Sequence, residues 1–430
     1  MKFKIGVGNS KYFAKSTVVR SLQKSKYYKL KLDHALGVFH HSPFTIDPHT
    51  ATKIIIMKYM LALFGMFAAL IGKSQKSPHL LIGTYTSGKS EGIYVYNFNK
   101  NTGDVSFVSS AKTANPSYLA VSPNQQIVYA VTENADTTKF GVGGEISAFS
   151  FDKEKGTLKF LNKQFSGGKH PCYVAVDKSG KWVFAANYSS GSAALLPVNS
   201  DGSLGAIKQV IQDTGSGPNK ARQEGPHVHS TVLSPDNKYL FTPDLGLDKI
   251  MIYHFDHLKG TLSASNPPYA PSEPGSGPRH FDFHPTNKYA YLMEEMTGTV
   301  VAYKYSEGKL EAIQRISALP EGFNGAIGGA DIHVSYDGKF LYCSNRGESN
   351  SITIFKINNK NGKLAIVGHQ ATKGIMPRNF NFDPSGNFLL VAHQKSDNIV
   401  IFQIDKKTGL LTDTGKRINL PNPVCIKWID

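Results

Sequence analysis

The chain has 430 residues and a formal net charge of +16, from 48 Lys or Arg against 32 Asp or Glu. Half of that excess lies in residues 1–53, where ten Lys or Arg face two Asp, and Lys58, Lys73 and Lys76 add three more positive charges. The surplus of +5 on the rest of the chain is too small to favour a nucleic-acid partner, and it suits an anionic small molecule.

Residues 57–78 have the pattern of a secretory signal peptide followed by a short linker. Met57 and Lys58 give a positive start, an apolar run covers 60–72, and cleavage is predicted after Ser74. The run is too short for a stable membrane span. We expect translation to start at Met57, which makes residues 1–56 an upstream artefact or a disordered basic arm. The protein would then be periplasmic or secreted; a buried apolar segment is the alternative and would indicate a cytoplasmic protein.

From residue 79 onward, a short apolar strand recurs seven times in the same setting. Successive copies begin roughly 46 to 55 residues apart, the spacing of four-stranded propeller blades. They begin at Pro116, Pro171, Pro226, Pro278, Gly329, Pro377 and Pro423. Stacking such units into a ring buries their apolar faces and removes exposed sheet edges. The sequence therefore predicts an all-β fold, a seven-bladed β-propeller with four-stranded antiparallel blades, over residues 79–430.

The ends of this region predict how the ring closes. In the second repeat, strands are predicted at 117–121, 127–132 and 145–151, with a fourth from Leu158. The final strand, 423–429, lacks three companions. Three unassigned strand patterns stand near the start of the region, at 79–85, 92–98 and 105–109. We expect N- and C-terminal strands to pair in one blade; the alternative is an open array with frayed ends.

Polar side chains interrupt the predicted inner strands. His227 and His229 lie two apart, hence on one strand face, where imidazoles perform acid–base chemistry or bind a metal. Two hydrogen-bonded structural histidines are the alternative, and no third metal ligand is evident nearby. Arg279 and His280 open the next repeat. Arg279 offers a bidentate fork to a carboxylate, a phosphate or an oxyanion, or simply pairs with a neighbouring blade.

Further candidates stand at strand ends in the same region. Glu294 and Glu295 end an apolar strand, and only one of them can face the channel because strand side chains alternate. An enclosed carboxylate can act as a general acid or base. Arg346 ends a strand of a later blade, where loops carry function. The same region contributes further polar groups at matching positions: Asp331, His333, Arg378, His393 and Gln394.

Taken together and in order, five motifs carry a resemblance to a known family. They are Leu81-Ile82-Gly83-Thr84-Tyr85-Thr86, Gly225-Pro226-His227-Val228-His229, Gly277-Pro278-Arg279-His280, Ser344-Asn345-Arg346-Gly347 and the stretch from Pro377 to Gly386. With them the chain resembles, over residues 80–430, the seven-bladed propeller lactonases of the 6-phosphogluconolactonase type. That family also includes fungal carboxy-muconate lactonizing enzymes.

The resemblance implies a set of site residues. The family's proposed active-site groups correspond to His229, Arg279, Glu295 and Arg346, which we interpret as catalytic. We interpret a second set as substrate-binding: His227, His280, His333, Arg378 and Gln394. The chain departs from its relatives at Glu294 and His393, where Asn is common. Cys172, Cys343 and Cys425 are interpreted as small buried hydrophobes, and no metal or cofactor is predicted.

The implied function is that of a carboxylic-ester hydrolase opening a sugar lactone. The substrate would be 6-phospho-D-glucono-1,5-lactone or a related aldonolactone, and the signal-like segment favours a non-phosphorylated one. In the hypothesis, Glu295 or His229 takes the proton of the attacking water, and Arg279 or Arg346 stabilises the oxyanion or binds the distal anion of the substrate. The alternatives are a lactonizing cycloisomerase of the muconate type and a non-catalytic ligand-binding propeller.

Overall fold

The computed structural model describes residues 77–138 and 141–430, with four isolated positions before them, 47, 49, 53 and 57. The predicted signal peptide and the segment before it therefore lie outside the described residues, apart from those positions. The chain divides into two units, 1–75 and 76–430. No helix of the described part is long and apolar enough to cross a bilayer.

The second unit consists of seven four-stranded antiparallel sheets, as predicted. Blade 1 contains β1 (His79–Thr84), β2 (Gly92–Phe98), β3 (Val105–Lys112) and the last strand of the chain. Blade 2 contains β4 (Leu119–Val121), β5 (Ile127–Thr132), β8 (Glu145–Asp152) and β9 (Thr157–Phe165), and a small hairpin, β6 (Thr137–Thr138) and β7 (Gly141–Val142), is inserted in it. Blade 3 contains β10 (Pro171–Val176), β11 (Trp182–Asn187), β12 (Ser192–Pro197) and β13 (Gln209–Gln212).

The remaining four blades follow in chain order. Blade 4 contains β14 (Val232–Leu233), β15 (Tyr239–Asp244), β16 (Lys249–Asp256) and β17 (Thr261–Pro271). Blade 5 contains β18 (Pro278–Phe283), β19 (Tyr289–Glu294), β20 (Thr299–Ser306) and β21 (Lys309–Ser317). Blade 6 contains β22 (Gly329–Val334), β23 (Phe340–Asn345), β24 (Ser351–Ile357) and β25 (Leu364–Ala371). Blade 7 contains β26 (Pro377–Phe382), β27 (Phe388–His393), β28 (Asn398–Ile404) and β29 (Leu411–Asn419).

The ring closes through the last strand, β30 (Pro423–Ile429). It pairs antiparallel with β1, from His79 opposite Ile429 to Thr84 opposite Pro423, with one bulge. The prediction that one blade is assembled from both ends is confirmed. β30 also packs against its neighbours β4 and β26, so the inner strands of adjacent blades touch across the seam.

A repeated contact between blades follows from the turn that joins the third and fourth strands. Gly260 in blade 4 has φ of 62° and lies against the ring of Trp182 in blade 3; a Cβ atom there would lie 2.0 Å from the ring. The Tyr342 hydroxyl of blade 6 donates to the carbonyl of Gly409 in the equivalent turn of blade 7, at 2.7 Å. Each blade thus covers the second strand of the one before it. This is why every residue of β5, β11, β19, β23 and β27 is buried.

Blade 4 differs from the prediction at its inner strand. The pattern beginning at Pro226 indicates a full strand, but β14 covers only Val232–Leu233, and before it a single bridge joins Val228 to Asp244. The Asp244 carboxylate accepts a hydrogen bond from the backbone N–H of His227, at 2.7 Å. It also accepts from the backbone N–H groups of Gly246 and Leu247, in the turn after β15. These bonds hold residues 226–231 as a loop, which keeps two backbone hydrogen bonds to residues 243 and 245 around the bridge.

Candidate active site

The candidate site is built from equivalent residues of different blades. The second strand of each blade ends at the same point, so the residue after it occupies the same place at one end of the ring. We call these residues the mouth ring: Tyr85, Glu133, Tyr188, Leu245, Glu295, Arg346 and Gln394. Beside them lie the side chains of Cys172, Arg279 and Arg378, at the start of their inner strands, and of His229, in the loop before β14.

Glu295 is the most heavily paired group of the mouth ring. Its Oε2 accepts from Arg279 Nε at 2.9 Å and from Arg346 Nη2 at 2.7 Å, and its Oε1 accepts from Arg222 Nη2 at 2.6 Å. Arg279 is 1% exposed and also donates from Nη1 to the Ala330 carbonyl, at 2.6 Å. Arg279 and Arg346 are therefore fixed against Glu295 by the surrounding backbone.

The charges of this cluster set its protonation states. Burial raises the pKa of Glu295, but the positive charges of Arg346 and Arg279 outweigh it and hold that pKa well below its ordinary value. Burial and the charge of Arg346 lower the pKa of Arg279 to about 10, so Arg279 stays charged at neutral pH. Glu295 is consequently an ionised carboxylate with both oxygens hydrogen-bonded, which makes it a weak base.

His229 lies beside the cluster with a neutral ring. Burial, reinforced by the charge of Arg279, lowers its pKa well below the ordinary value for histidine. Its Nδ1 is 3.7 Å from the Cys172 sulfur, and its ring lies edge-on to Tyr188 and His280, with centroids 5.4 and 5.3 Å away. No described residue bonds to its Nε2. A neutral imidazole with one uncommitted nitrogen can accept a proton.

Arg378 has the least committed guanidinium of the site. It lies over the ring of Tyr85, 5.6 Å from the centroid, and donates no hydrogen bond to any residue that the structure describes. The Tyr85 hydroxyl donates to Glu133 Oε2 at 2.9 Å, and the Ser117 hydroxyl donates to the same oxygen. A guanidinium with free donors, close enough to Glu295 to feel its charge, is suited to bind an anion.

Comparison with known proteins matches residues 79–428 to a family model described as lactonase, 7-bladed beta-propeller. The chain belongs to this family of propeller lactonases. A 6-phosphogluconolactonase of Bacillus subtilis is 40% identical over 351 residues, which cover 81% of this chain and 97% of the relative. Another, from Formosa agariphila, is 41% identical over 336 residues, covering 77% and 94%.

Solved structures of similar proteins share the propeller lactonase fold. A candidate 6-phosphogluconolactonase from Bacteroides fragilis has a TM-score of 0.79 and 43% identity, covering 84% of this chain and 99% of its own. A periplasmic gluconolactonase from Pseudomonas aeruginosa has a TM-score of 0.78 and 37% identity, covering 82% and 99%. The resemblance and the fold class predicted from the sequence are confirmed.

A second buried cluster of this lactonase lies further along the inner strands, around Asp331. Its Oδ1 pairs with His280 Nδ1 at 2.7 Å, and its Oδ2 pairs with His333 Nε2 at 3.0 Å and accepts from the Asn379 amide. Burial raises the pKa of Asp331, but the charge of His333 outweighs it and holds that pKa well below its ordinary value. One carboxylate thereby ties together three consecutive blades, 5, 6 and 7.

The structure separates the predicted site residues into groups. His229, Arg279, Glu295 and Arg346 come together at the mouth, whereas His280 and His333 belong to the Asp331 cluster.

The remaining positions lie outside both clusters. His227 stacks on Tyr188, with centroids 4.4 Å apart, and its Nε2 is 3.3 Å from Glu224 Oε1. The Oε1 of Gln394 is buried and has no partner among the described residues. Glu294 points away from Glu295 and forms a bidentate pair with Arg315, at 2.9 and 2.6 Å, as the alternation of the strand requires.

Sequence reasoning missed several residues of the mouth. Tyr85, Glu133 and Tyr188 occupy the position of Glu295 in other blades, so aligning the repeats on the ends of their second strands identifies them. The same alignment, made on the inner strands, places Cys172 beside His229; Cys172 is buried as predicted, but it also contacts the site. Arg222 lies in an irregular loop of one blade only, where no repeat signal exists.

Replacing Asp331 by Asn should destabilise the protein by about 3–5 kcal/mol, because the buried His280, the half-buried His333 and the Asn379 amide lose their shared anion. Urea denaturation followed by tryptophan fluorescence measures the change. Asp337→Asn is the matched control, since Asp337 pairs with Lys339 at the surface and its loss should cost no more than about 1 kcal/mol. Equal losses in both variants would contradict a special role for Asp331.

Proposed function

We propose that the protein hydrolyses a sugar lactone, 6-phosphoglucono-1,5-lactone or a related aldonolactone, at the mouth of the propeller. The observation that carries this proposal is the neutral His229 beside an ionised Glu295 held by three arginines. The names of the relatives at about 40% identity and of the periplasmic gluconolactonase support the substrate class.

In this mechanism His229 is the base. Its Nε2 takes a proton from a water molecule, whose oxygen attacks the carbonyl carbon of the lactone. Glu295 is the weaker candidate, since both of its oxygens accept from arginines. The negative charge of Glu295 instead stabilises the imidazolium that forms, and it contributes to raising the pKa of His229. Such a positioned base accelerates a reaction by about 10²–10⁴-fold.

Arg378 is the group that meets the oxyanion in this proposal. Arg279 and Arg346 have donors committed to Glu295 and to backbone carbonyls, whereas Arg378 has free donors. When the tetrahedral intermediate collapses, the bond from the carbonyl carbon to the ring oxygen breaks. The imidazolium of His229 returns its proton to that oxygen, and the products are a hydroxyl group and a carboxylic acid that ionises in solution.

A panel of substrates tests the proposal. A pH-stat assay should show acid release above the spontaneous rate from 6-phosphoglucono-1,5-lactone, glucono-1,5-lactone or both, with and without a chelator. cis,cis-Muconate assayed in parallel, by loss of its ultraviolet absorbance, identifies a cycloisomerase. No acceleration of any lactone, together with tight binding of a sugar acid, would instead indicate a non-catalytic binding propeller.

The pH dependence of the reaction follows from the lowered pKa of His229. The base works when neutral, and protonation abolishes it. Because burial moves protonation of His229 below the ordinary range of histidine, kcat/KM should stay constant as the pH falls from 8 to about 6.5. The decline should begin only at lower pH. A half-maximal loss near pH 7, after correction for spontaneous opening, would contradict His229 as the base.

The chain's organisation is proposed to follow the same family. Residues 57–74 serve as a signal peptide, residues 75–78 as a linker, and residues 79–430 as the lactonase propeller. The periplasmic location named for the Pseudomonas aeruginosa gluconolactonase supports export. Edman sequencing of protein recovered from the periplasm of an expressing bacterium should begin at Gln75. Recovery only from the cytoplasm, with the apolar segment intact, would contradict this assignment.

A further inference from the structure

Arg222 differs from the other arginines around Glu295 in its position in the fold. Arg279 and Arg346 project from the ends of strands, whereas Arg222 lies in the loop that joins β13 to β14. The next residue, Gln223, is fully buried, and its amide donates to the Leu245 carbonyl and to Asp248 Oδ1, both at 2.8 Å. Gln223 thus anchors the loop backbone, while the neighbouring Arg222 side chain stays partly exposed to solvent.

The ion pair between Arg222 and Glu295 is easily exchanged. The Arg222 side chain is 44% exposed, against 1% for Arg279 and 8% for Arg346. Because water screens the exposed guanidinium, this pair is weaker than the buried pairs that Glu295 forms with Arg279 and Arg346. If Arg222 moves away, Glu295 Oε2 still has two arginine partners and no buried charge is left alone. The cost of withdrawing Arg222 from Glu295 is therefore small.

Arg222 also has donors to spare. Its Nη2 is used for Glu295 at 2.6 Å and approaches the Tyr188 hydroxyl at 3.4 Å, but Nε and Nη1 donate to no described residue. Once Nη2 is released from Glu295, the planar guanidinium can donate two parallel N–H bonds to the oxygens of a phosphate monoester. At the mouth, four arginines face two glutamates, Glu295 and Glu133, which leaves two positive charges for a substrate dianion.

We propose that Arg222 recognises an anionic group at the end of the substrate remote from the lactone carbonyl, exchanging Glu295 for it, and so favours phosphorylated sugar lactones. This inference rests on the proposed function, since it names the substrate class of the same site. The four arginines then have different roles. Arg279 and Arg346 hold Glu295 in place, Arg378 donates hydrogen bonds to the carbonyl oxygen, and Arg222 binds the distal anion. A phosphate monoester is the group of fitting charge and shape.

The test compares Arg222→Gln with Lys220→Gln, a matched control that removes the same charge from an exposed position of the same loop. With wild-type protein and both variants, kcat/KM is measured for 6-phosphoglucono-1,5-lactone and for glucono-1,5-lactone. Arg222→Gln should lower the ratio of the two values by about 10- to 100-fold, the loss expected for charge-assisted hydrogen bonds to a phosphate, mainly through KM. Lys220→Gln should change the ratio by less than threefold.

Binding of the products gives a readout that needs no turnover. By calorimetry, 6-phosphogluconate should bind wild-type protein more tightly than gluconate does, and Arg222→Gln should remove most of that difference. An equal fall for both lactones in Arg222→Gln, or an unchanged preference for 6-phosphogluconate, would overturn the role of Arg222. A wild-type protein that binds 6-phosphogluconate through Arg222 but opens neither lactone would refute the hydrolase proposal and leave the anion-binding role standing.

Discussion

Replacing His229 by Gln should lower kcat for lactone opening by about 10²–10⁴-fold with little change in KM, because the change removes the base and leaves the arginines in place. The amide keeps a polar group against Cys172, so the fold should survive. Stopped assays on purified protein, with the spontaneous rate subtracted, measure the effect. The loss should be the same at pH 6.5 and pH 8, since His229 is neutral at both.

His284→Gln is the matched control for this change. His284 is equally buried, but it follows the end of β18 remote from Arg279 and bonds to Thr286 and to the Gly338 carbonyl. Losing it should reduce stability and leave kcat within about threefold of wild type, since it contacts no reacting group. If both variants lose activity in parallel with their melting temperatures, the effect of His229→Gln is structural and the proposed base is wrong.

Replacing Glu295 by Gln should destabilise the propeller by about 3–5 kcal/mol, because Arg279 and Arg346 remain buried without their counter-ion. Activity should fall as well, since the repulsion between the uncompensated guanidinium groups displaces them and removes the anion beside His229. Thermal unfolding and urea denaturation measure the first effect, and kcat/KM at a temperature where both proteins are folded measures the second.

Replacement of the adjacent carboxylate, Glu294, is the matched control for Glu295→Gln. Glu294→Gln breaks a pair with Arg315, whose side chain is 27% exposed and keeps a second partner in Glu273, 3.0 Å from its Nε. The expected loss of stability is therefore smaller, about 1–3 kcal/mol. Activity should stay within a fewfold of wild type, because Glu294 faces away from the mouth. Greater inactivation by Glu294→Gln than by Glu295→Gln would mean that Glu294, and not Glu295, faces the mouth.

Repetition made the fold predictable from the sequence. Seven copies of one strand pattern, together with the unpaired strand at 423–429, required a closed ring, and the pairing of β30 with β1 confirms it. The strand alternation also separated Glu294 from Glu295 correctly. Both inferences use local periodicity, which the backbone enforces at every repeat.

The organisation of the site depended on contacts that periodicity does not encode. The position of a residue in its repeat predicts where along the strand it lies. It does not predict which residue of another blade it contacts. The sequence therefore suggested Arg279 and Arg346 as free catalytic cations for an oxyanion, although Glu295 and backbone carbonyls occupy them. The loop conformation of residues 226–231 was missed because it depends on the carboxylate of Asp244 in the neighbouring strand.

The seam in blade 1 also imposes an order on biosynthesis. β1 is among the first strands of the propeller to leave the ribosome, but its inner partner β30 is among the last to be translated. Until β30 pairs with β1, blade 1 has three strands and an open inner edge. The ring can therefore close only after residues 423–429 have been synthesised, which makes closure a late step in the folding of the propeller.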